Sequence, residues 1–341
     1  MGREVVSPVR PVEYVLGVDG GNTKTIALVA RLDGTIVGSG RGGCSDIYTN
    51  PDPAIPLSEA EKAVRGALHM SGLETEALAV GAFSMAGGDW PEDFSLIQSA
   101  MQARGFGRHV IVVNDAVGAL WAGSLSGPAV VVACGTGAAT ASRSEDGRVW
   151  HSSWWQEPQG AHHLGGKTLQ AVYRAELGID PPTLLTASVL RHFEQESVEG
   201  VLHLFFTRSG DRPSSGKVSQ LSRALLDAAC AGDLTARRIV EEHGASLGDY
   251  ALAAARQVGI QGAPFTLALT GGVFRHSCPL LAEALIARVR AASPGVVPVY
   301  SRFEPAVGAL LLGLEAAGST LDEPLLARLT ASLPHAGLFE T

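Results

Sequence analysis

The feature that most constrains the fold is a hairpin pattern that occurs twice. Each copy begins with an apolar run ending in a Gly/Thr-rich tip, continues with a second apolar run, and turns at an Asp-Gly pair. Thr23, Asp33 and Gly34 recur 113 residues later as Thr136, Asp146 and Gly147. Asp-Gly between apolar runs is a strong hairpin signal. Because the offset is too long for a solenoid repeat, it predicts two related domains, each opening with a meander. The alternative is a chance match between two common hairpins.

The periodicity along the chain predicts an α/β protein. Strands are expected over 12–18, 25–31, 35–37, 77–83, 109–113, 129–134, 138–142, 148–152, 265–269 and 296–300. The Ser58 capping box predicts a helix over 58–69, and further helices are expected over 91–103, 115–122, much of 167–258, 274–289 and 305–317. The predicted domains are 12–120 and 121–318, with the helix at 305–317 able to pack on the first domain. Residues 1–11 are expected to form a tail, and 319–341 a terminal helix or tail.

Composition excludes several classes of protein. The net charge of −8 argues against a broad basic surface for nucleic acid. A membrane span is not expected, because no apolar run reaches about 18 residues. The N-terminus lacks an apolar signal core, so we expect a cytoplasmic protein. The four cysteines, Cys44, Cys134, Cys230 and Cys278, lie far apart and are expected to be free thiols.

Two glycine-rich nucleotide motifs are absent or incomplete. Gly38, Gly40 and Gly43 satisfy G-x-G-x-x-G, but the prolines that follow leave no helix opening at that loop. The dinucleotide fingerprint requires that helix, so NAD binding is not expected. The sequence also lacks G-x-x-x-x-G-K-[ST], which excludes a P-loop NTPase.

Three other glycine-rich segments each follow an apolar strand. The chain has 41 glycines, and these segments use several of them. Glycines let backbone N–H groups approach phosphate oxygens, and threonine hydroxyls add donors. A carboxylate at the first tip, Asp19, can hold Mg²⁺ through water, because Mg²⁺ loses water reluctantly. The residues predicted to bind a nucleotide are Asp19, Gly20, Gly21, Asn22, Thr23, Lys24, Gly135, Thr136, Gly137, Gly271, Gly272, Val273 and Phe274.

These segments resemble the actin/hexokinase/Hsp70 ATPase superfamily. Within it, the chain is similar over 14–317 to the N-acetylglucosamine kinase family, also described as the BadF/BadG/BcrA/BcrD ATPase family. The resemblance identifies 19–24 with the phosphate-1 loop, 135–137 with the phosphate-2 loop and 271–274 with the adenosine loop. It implies two ribonuclease-H-like, actin-like ATPase domains, with ATP and Mg²⁺ in the cleft between them.

Asp115 is the candidate catalytic residue. It lies in Val113-Asn114-Asp115-Ala116, where a strand is followed by a helix, and this segment matches the one that carries the family's catalytic aspartate. A carboxylate there can accept the proton of a sugar hydroxyl as that oxygen attacks the γ-phosphorus of ATP. The alternative role is a helix N-cap, for which aspartate is favoured.

The resemblance also implies the sugar-binding segments. They contribute Asp46, Gly87, Gly88, Asp89, Asp115, Glu157, Gln159, Gly160, Ala161 and His162. Where the family has a sugar-binding Asp followed by Glu, this chain has Gly166 and Lys167. Glu157 and Asp46 could supply the missing carboxylate, and an acidic pocket would suit a cationic substrate. Trp154 and Trp155 could give a platform for a sugar face, with core packing as the alternative.

The function that the resemblance implies is ATP-dependent phosphorylation of an amino sugar, N-acetylglucosamine or a glucosamine-like hexose, at its 6-hydroxyl. An aminocyclitol is an alternative acceptor. A second reading is an ATPase that activates a partner reductase or dehydratase, although the cysteines form no recognisable iron–sulfur motif. A third is a regulatory protein without catalysis. The expected partners are a small sugar and a second copy of the chain, as a homodimer, with no nucleic acid and no membrane.

Overall fold

The chain folds into two compact α/β units. The computed structural model describes residues 13–208, 210 and 212–340, so the predicted tail over 1–11 lies outside the described residues. One unit contains the residues up to Gly118 together with those from Pro305 onward. The other contains Ala119–Glu304. The helix predicted at the end of the second domain therefore belongs to the first unit.

The described residues form the following elements in chain order. The N-terminal part contains β1 (Tyr14–Gly20), β2 (Thr25–Arg31), β3 (Ile36–Gly42), α1 (Ala54–Ser71), β4 (Leu78–Met85), α2 (Pro91–Ala103), β5 (His109–Asn114) and α3 (Asp115–Gly123). The middle part contains β6 (Ala129–Cys134), β7 (Ala138–Arg143), β8 (Val149–His151), α4 (Ala161–Glu176), α5 (Leu185–Phe193), α6 (Val198–Phe206), α7 (Ser215–Cys230) and α8 (Leu234–Gln257). The remainder contains β9 (Thr266–Thr270), α9 (Leu280–Ala292), β10 (Val297–Tyr300), α10 (Pro305–Ala316) and α11 (Glu323–Ala331).

The two sheets have the same strand order. The first sheet runs β3-β2-β1-β4-β5, and the second, read from its meander edge, runs β8-β7-β6-β9-β10. In each sheet the meander strands pair antiparallel, whereas β1–β4–β5 and β6–β9–β10 pair parallel. Gly34 and Gly147 take the same left-handed conformation in the two hairpin turns, with φ of 90° and 83°. The duplication predicted from the 113-residue offset is therefore confirmed by the topology.

The first two glycines of the rejected dinucleotide motif lie on a strand, and the third, Gly43, follows it. Gly38 and Gly40 alternate along β3, and a Cβ on them would lie 2.2 Å from the carbonyl oxygen of Ala67 and 2.0 Å from that of Ala63. These carbonyls belong to α1, so the strand lacks side chains where the helix backbone lies against it. The same occurs at Gly17, where a Cβ would lie 2.3 Å from the backbone nitrogen of Leu310 in α10. Part of the glycine surplus thus serves close helix–sheet packing.

The start of one helix differs from the prediction. The helix predicted to start at Ser58 begins at Ala54, and the hydroxyl of Ser58 donates within the helix to the carbonyl of Ile55. Pro56 lies in the first turn, where its missing N–H would lack a helical partner in any case. Of the helix or tail expected over 319–341, the structure shows the helix: α11 packs on the first hairpin, and the Leu325 side chain lies against Gly34.

The cysteines also differ from the prediction of four free thiols. Cys230, the last residue of α7, and Cys278, just before α9, form a disulfide with their Cα atoms 5.8 Å apart. Cys44 and Cys134 are free. The prediction was wrong for the pair because a disulfide depends on distance in space, and a separation of 48 residues carries no pairing signal. Among the described residues, no helix is long and apolar enough to cross a membrane.

Candidate functional site

The turn between β1 and β2 is held by the backbone of its neighbours. The N–H of Gly21 donates to the carbonyl of Lys24, and the N–H of Ser45 donates to the carbonyl of Gly21. A Cβ on Gly20 would lie 2.4 Å from the Ser45 hydroxyl and 2.6 Å from the Met85 sulfur. Gly20 therefore admits no other residue without rearrangement, and the turn packs closely against the segments after β3 and β4.

The polar residues of this turn have different surroundings. Asp19, at the end of β1, is half-buried and lies in register with Ser84 on β4. Asn22 and Thr23 are exposed at the tip, and the ammonium of Lys24 donates to the carbonyl of Phe339 near the C-terminus. A single half-buried carboxylate beside an open tip fits a Mg²⁺ ion that keeps most of its waters and binds phosphate oxygens. Asp19 is the residue that would hold it.

Two loops of the first unit, called the acceptor loops because the sequence predicts that they contact the sugar acceptor, lie against each other. One follows β3 and contains Asp46, and the other follows β4 and contains Gly87 and Asp89. Gly87 has a φ of 77°, and a Cβ there would lie 2.5 Å from the Asp46 carboxylate. The structure therefore brings together the residues of these two loops that the sequence predicts to contact the sugar.

Asp115 lies beside these loops at the junction of β5 and α3. Asn114 orients it: the Asn114 side-chain amide donates to the Asp89 carboxylate at 2.9 Å, while its oxygen accepts the Ala116 N–H at 3.0 Å. The Ser84 hydroxyl donates to the Asp115 carbonyl at 3.2 Å. The Asp115 carboxylate also accepts the Ala116 N–H. Asp115 is the first residue of α3, and Asn114 before it accepts a first-turn N–H through its side chain, so the structure gives the N-cap position to Asn114.

The surroundings of Asp115 raise its pKa to about 6. The largest cause is the loss of hydration in this packed junction, and the next is the negative charge of Asp89, with Asp46 adding to it. Burial likewise raises the pKa of Asp46, with further contributions from Asp89 and Asp93. A carboxylate whose pKa lies a little below neutral is mostly ionised at pH 7 and can accept a proton in a reaction.

The glycine-rich turn of the second unit is enclosed by two segments. Within the turn, Gly135 N–H donates to the Gly137 carbonyl, and the Gly135 carbonyl accepts from Ala161 at the start of α4. A Cβ on Gly160 would lie 2.2 Å from the Thr136 carbonyl oxygen. Residues 160 and 161 therefore support this turn through their backbone.

The segment after β9 contacts the same strand end. Gly271 has a φ of 98°, and a Cβ there would lie 2.4 Å from the Cys134 carbonyl oxygen, which also accepts the Val273 N–H. The side chains of Val273 and Phe274 are buried in the core of the second unit. Only the backbone of this segment, with Gly271 and the exposed Gly272, is available to a ligand.

The remaining predicted sugar residues lie in the second unit, and their surroundings differ. The Gln159 side chain is buried: its amide donates to the Ser246 hydroxyl and its side-chain oxygen accepts from Gln156. The backbone carbonyl of Gln159 accepts from the His243 ring. His162 bonds to Ser215 at the start of α7. Glu157 is exposed, with its backbone N–H donating to Tyr250. The Gln159 side chain therefore points into the protein, whereas His162 and Glu157 are exposed.

Where the family motif has Asp followed by Glu, this chain has Gly166 and Lys167, so the segment carries a positive side chain and no negative one. Gly166 lies on the exposed side of α4 with no atom near the place of a Cβ. The Lys167 ammonium donates to His243 at 3.4 Å, and burial lowers the pKa of both groups, that of His243 to about 4. Trp154 and Trp155 are 62% and 75% exposed, so the core-packing alternative for these two residues is wrong.

Sequence reasoning missed three residues that organise the site. The sequence motifs assign no role to Asn114, which adjoins Asp115, or to Tyr48 and Asp93, which link the two acceptor loops. Their only sequence signal is position: Asp93 is the third residue of a helix that begins with proline, where an acid commonly accepts backbone N–H groups.

Two sheets of the same order, each with glycine-rich turns at its strand ends, define a two-domain actin-like ATPase. Comparison with protein families agrees: residues 16–313 match the BadF/BadG/BcrA/BcrD ATPase family, and the chain belongs to this family.

Named relatives extend the comparison. An N-acetylmuramic acid/N-acetylglucosamine kinase of Clostridium acetobutylicum is 28% identical over 78% of this chain and 87% of its own length. An N-acetyl-D-glucosamine kinase of Dictyostelium discoideum is 24% identical over 89% and 98%. The crystal structure of a proposed N-acetylglucosamine kinase from Chromobacterium violaceum superposes with a TM-score of 0.67 at 23% identity, covering 89% of this chain and all of the other. This last likeness concerns the fold.

Proposed function

We propose that this chain is an ATP-dependent kinase that phosphorylates an amino sugar at its 6-hydroxyl. The observation that carries the proposal is Asp115, a partly buried carboxylate with its pKa raised to about 6, held beside the two acceptor loops. The names of the two curated relatives support an N-acetylated amino sugar as the acceptor class.

Asp115 acts as the general base in the proposed reaction. Its carboxylate takes the proton from the acceptor hydroxyl while that oxygen forms a bond to the γ-phosphorus of ATP and the bond to the β-phosphate oxygen breaks, giving ADP and a sugar phosphate. Asn114 and Ser84 keep Asp115 in place, because each contacts its backbone or its immediate neighbour. The chain thus supplies positioning and proton transfer, which phosphoryl transfer requires.

The phosphates of ATP are assigned to the glycine-rich turns. Asn22 and Thr23 are exposed at the tip of the first turn, and Thr136 and Gly137 are exposed in the turn of the second unit. The N–H groups of Gly21 and Gly135 hold the turns themselves, so these two glycines are assigned close approach of the backbone and not donation. Mg²⁺, held by Asp19 through water, would neutralise phosphate charge when bound. Gly271 and Gly272 are assigned to the adenosine, through backbone approach.

Asp46 and Asp89 are the proposed acceptors of sugar hydroxyl hydrogen bonds. Their negative charge also suits a cationic acceptor, such as glucosamine or an aminocyclitol. This alternative stays open because Gly166 and Lys167 stand where the family motif has Asp and Glu. Comparing kcat/KM for glucosamine and N-acetylglucosamine separates these acceptors. A clear preference for N-acetylglucosamine would reject the cationic substrate.

The test of the kinase proposal is ADP release, measured with a coupled assay across hexoses, amino sugars and cyclitols. We expect at least one amino sugar to stimulate ADP release strongly over ATP alone. If no acceptor does so, the kinase proposal fails, and iron and sulfide analysis of the purified protein then tests the activator reading. A homodimer stays a prediction, to be measured by light scattering.

A further inference from the structure

Asp93 is a buried acid that joins the two acceptor loops. It is 7% exposed in the first turn of α2. Its carboxylate accepts the backbone N–H of Trp90 at 2.9 Å and that of Asp89 at 3.2 Å, both from the loop after β4. It also accepts the phenol of Tyr48, which is 3.1 Å and 3.2 Å from its two oxygens. Asp93 therefore fixes the backbone at Asp89 and reaches the other loop at the same time.

Tyr48 makes the reciprocal connection. It lies in a 3-10 turn that is capped by Asp46, whose carboxylate accepts the Tyr48 N–H at 2.9 Å. Tyr48 thus contacts Asp46 through its backbone and Asp93 through its phenol. Burial and the neighbouring Asp93 raise the pKa of the phenol to about 12, so it stays a hydrogen-bond donor at neutral pH.

The link opposes an electrostatic repulsion. Asp46, Asp89 and Asp93 carry like charges on adjacent loops, and the negative charges of Asp89 and Asp93 help to raise the pKa of Asp46. Like charges on the two loops repel each other, and a neutral donor shared between the loops offsets this repulsion. The Tyr48 phenol is such a donor, and Gly87 allows the close approach by lacking a Cβ where Asp46 lies.

We propose that the Tyr48–Asp93 hydrogen bond is a latch that positions Asp46 and Asp89 to bind the acceptor sugar together. This rests on the proposed function, since it assigns those two carboxylates to the sugar. Tyr48 and Asp93 are positioning residues, and they act through Asp46 and Asp89. Because the latch sets the spacing of two groups that must contact one ligand, its loss weakens acceptor binding more than ATP binding.

The test is a double-mutant cycle with steady-state kinetics for both substrates. Tyr48 is 49% exposed, so water partly replaces its phenol, and we expect Tyr48→Phe to raise the acceptor KM about 3- to 10-fold. The KM for ATP should stay within about twofold, since hydrogen-bond effects of this size are local. Asp93→Asn should raise the acceptor KM further, because it also weakens the bonds to the Asp89 and Trp90 N–H groups. Adding Tyr48→Phe to it should have a smaller effect than in the unmodified protein, because a neutral amide accepts the phenol more weakly than a carboxylate does. Tyr300→Phe, at a tyrosine that is 60% exposed on β10, is the matched control and should leave both KM values unchanged.

Three results would overturn the latch. The first is an unchanged acceptor KM in Tyr48→Phe, and the second is additive effects of the two substitutions on that KM. The third is a parallel rise in the KM values of both substrates together with a lower melting temperature, which indicates general destabilisation. If Asp93→Asn does not fold, the KM split in Tyr48→Phe still decides the question. Failure of the proposed function is a separate result: the unmodified protein would then release no ADP in response to any sugar.

Discussion

Activity should fall on the acid side of neutral because the proposed base must be ionised. With a pKa of about 6, the ionised fraction of Asp115 is about nine-tenths at pH 7 and about one-tenth at pH 5. An aspartate with its ordinary pKa of 3.8 would stay mostly ionised over this range. We therefore expect kcat/KM for the acceptor to fall about tenfold between pH 7 and pH 5.

Asp89→Asn tests the cause of this shift. Removing the negative charge of Asp89 should lower the pKa of Asp115, and the acid limb should move to lower pH by about one unit. The limb should not reach pH 3.8, because burial is the larger cause and remains. The readout is the ratio of kcat/KM at pH 5 to that at pH 7, which is independent of a uniform loss of sugar binding. Asp33→Asn is the control: it removes the same charge from an exposed acid at the opposite strand ends of the first sheet from Asp115, and it should leave the limb in place.

The reasoning is refuted if the acid limb lies near pH 4 in the unmodified protein, because Asp115 would then be an ordinary carboxylate. It is also refuted if Asp89→Asn leaves a limb near pH 6 unmoved. That outcome would assign the titration to another group.

Three further predictions concern stability. Asp115→Asn should raise the free energy of unfolding at pH 7 by up to about 3 kcal/mol, because the folded-state pKa of Asp115 lies above its unfolded value and the ionised acid is therefore destabilising above pH 6. This gain should shrink as the pH falls from 6 to 4, and equal stability of the two proteins at pH 7 would contradict the prediction. Reducing the Cys230–Cys278 disulfide should cost about 3 to 4 kcal/mol for its separation of 48 residues, measured by urea unfolding with and without dithiothreitol, and unchanged unfolding would argue against the bond. Gly40→Ala should lower the free energy of unfolding by about 1 to 3 kcal/mol, because the new methyl group would lie 2.0 Å from an α1 carbonyl oxygen. Gly166→Ala is the control, since a methyl group there has open space and should leave stability unchanged or raise it. Equal effects of the two substitutions would contradict the packing argument.

Much of the fold was predictable because its signals are local. The Asp-Gly turns at Gly34 and Gly147 mark two hairpins, and Pro91 marks the first residue of α2. The start of α1 was not predictable from its capping box, since Ser58 is equally able to bond within a helix. Packing of α10 and α11 in the first unit depends on contacts between residues almost 300 positions apart, which a single sequence does not encode locally.

The candidate site was predictable where the backbone defines it and less so where side chains do. The strand-end glycines and Asp115 follow from pattern and resemblance. The burial of Gln159 and the outward position of Trp155 depend on the packing of α8 and the loop before α4, and no local rule reports them. The Tyr48–Asp93 bond joins residues 45 positions apart and is visible only in three dimensions.

The most direct test of the central claim is product analysis with Asp115→Asn beside the unmodified protein. Each is incubated with ATP, Mg²⁺ and N-acetylglucosamine or glucosamine, and ADP and sugar phosphate are quantified by mass spectrometry. The account predicts equal amounts of ADP and sugar 6-phosphate from the unmodified protein, and a rate about 10²- to 10⁴-fold lower for Asp115→Asn. ADP without sugar phosphate, or an Asp115→Asn variant that retains the full rate, would contradict it.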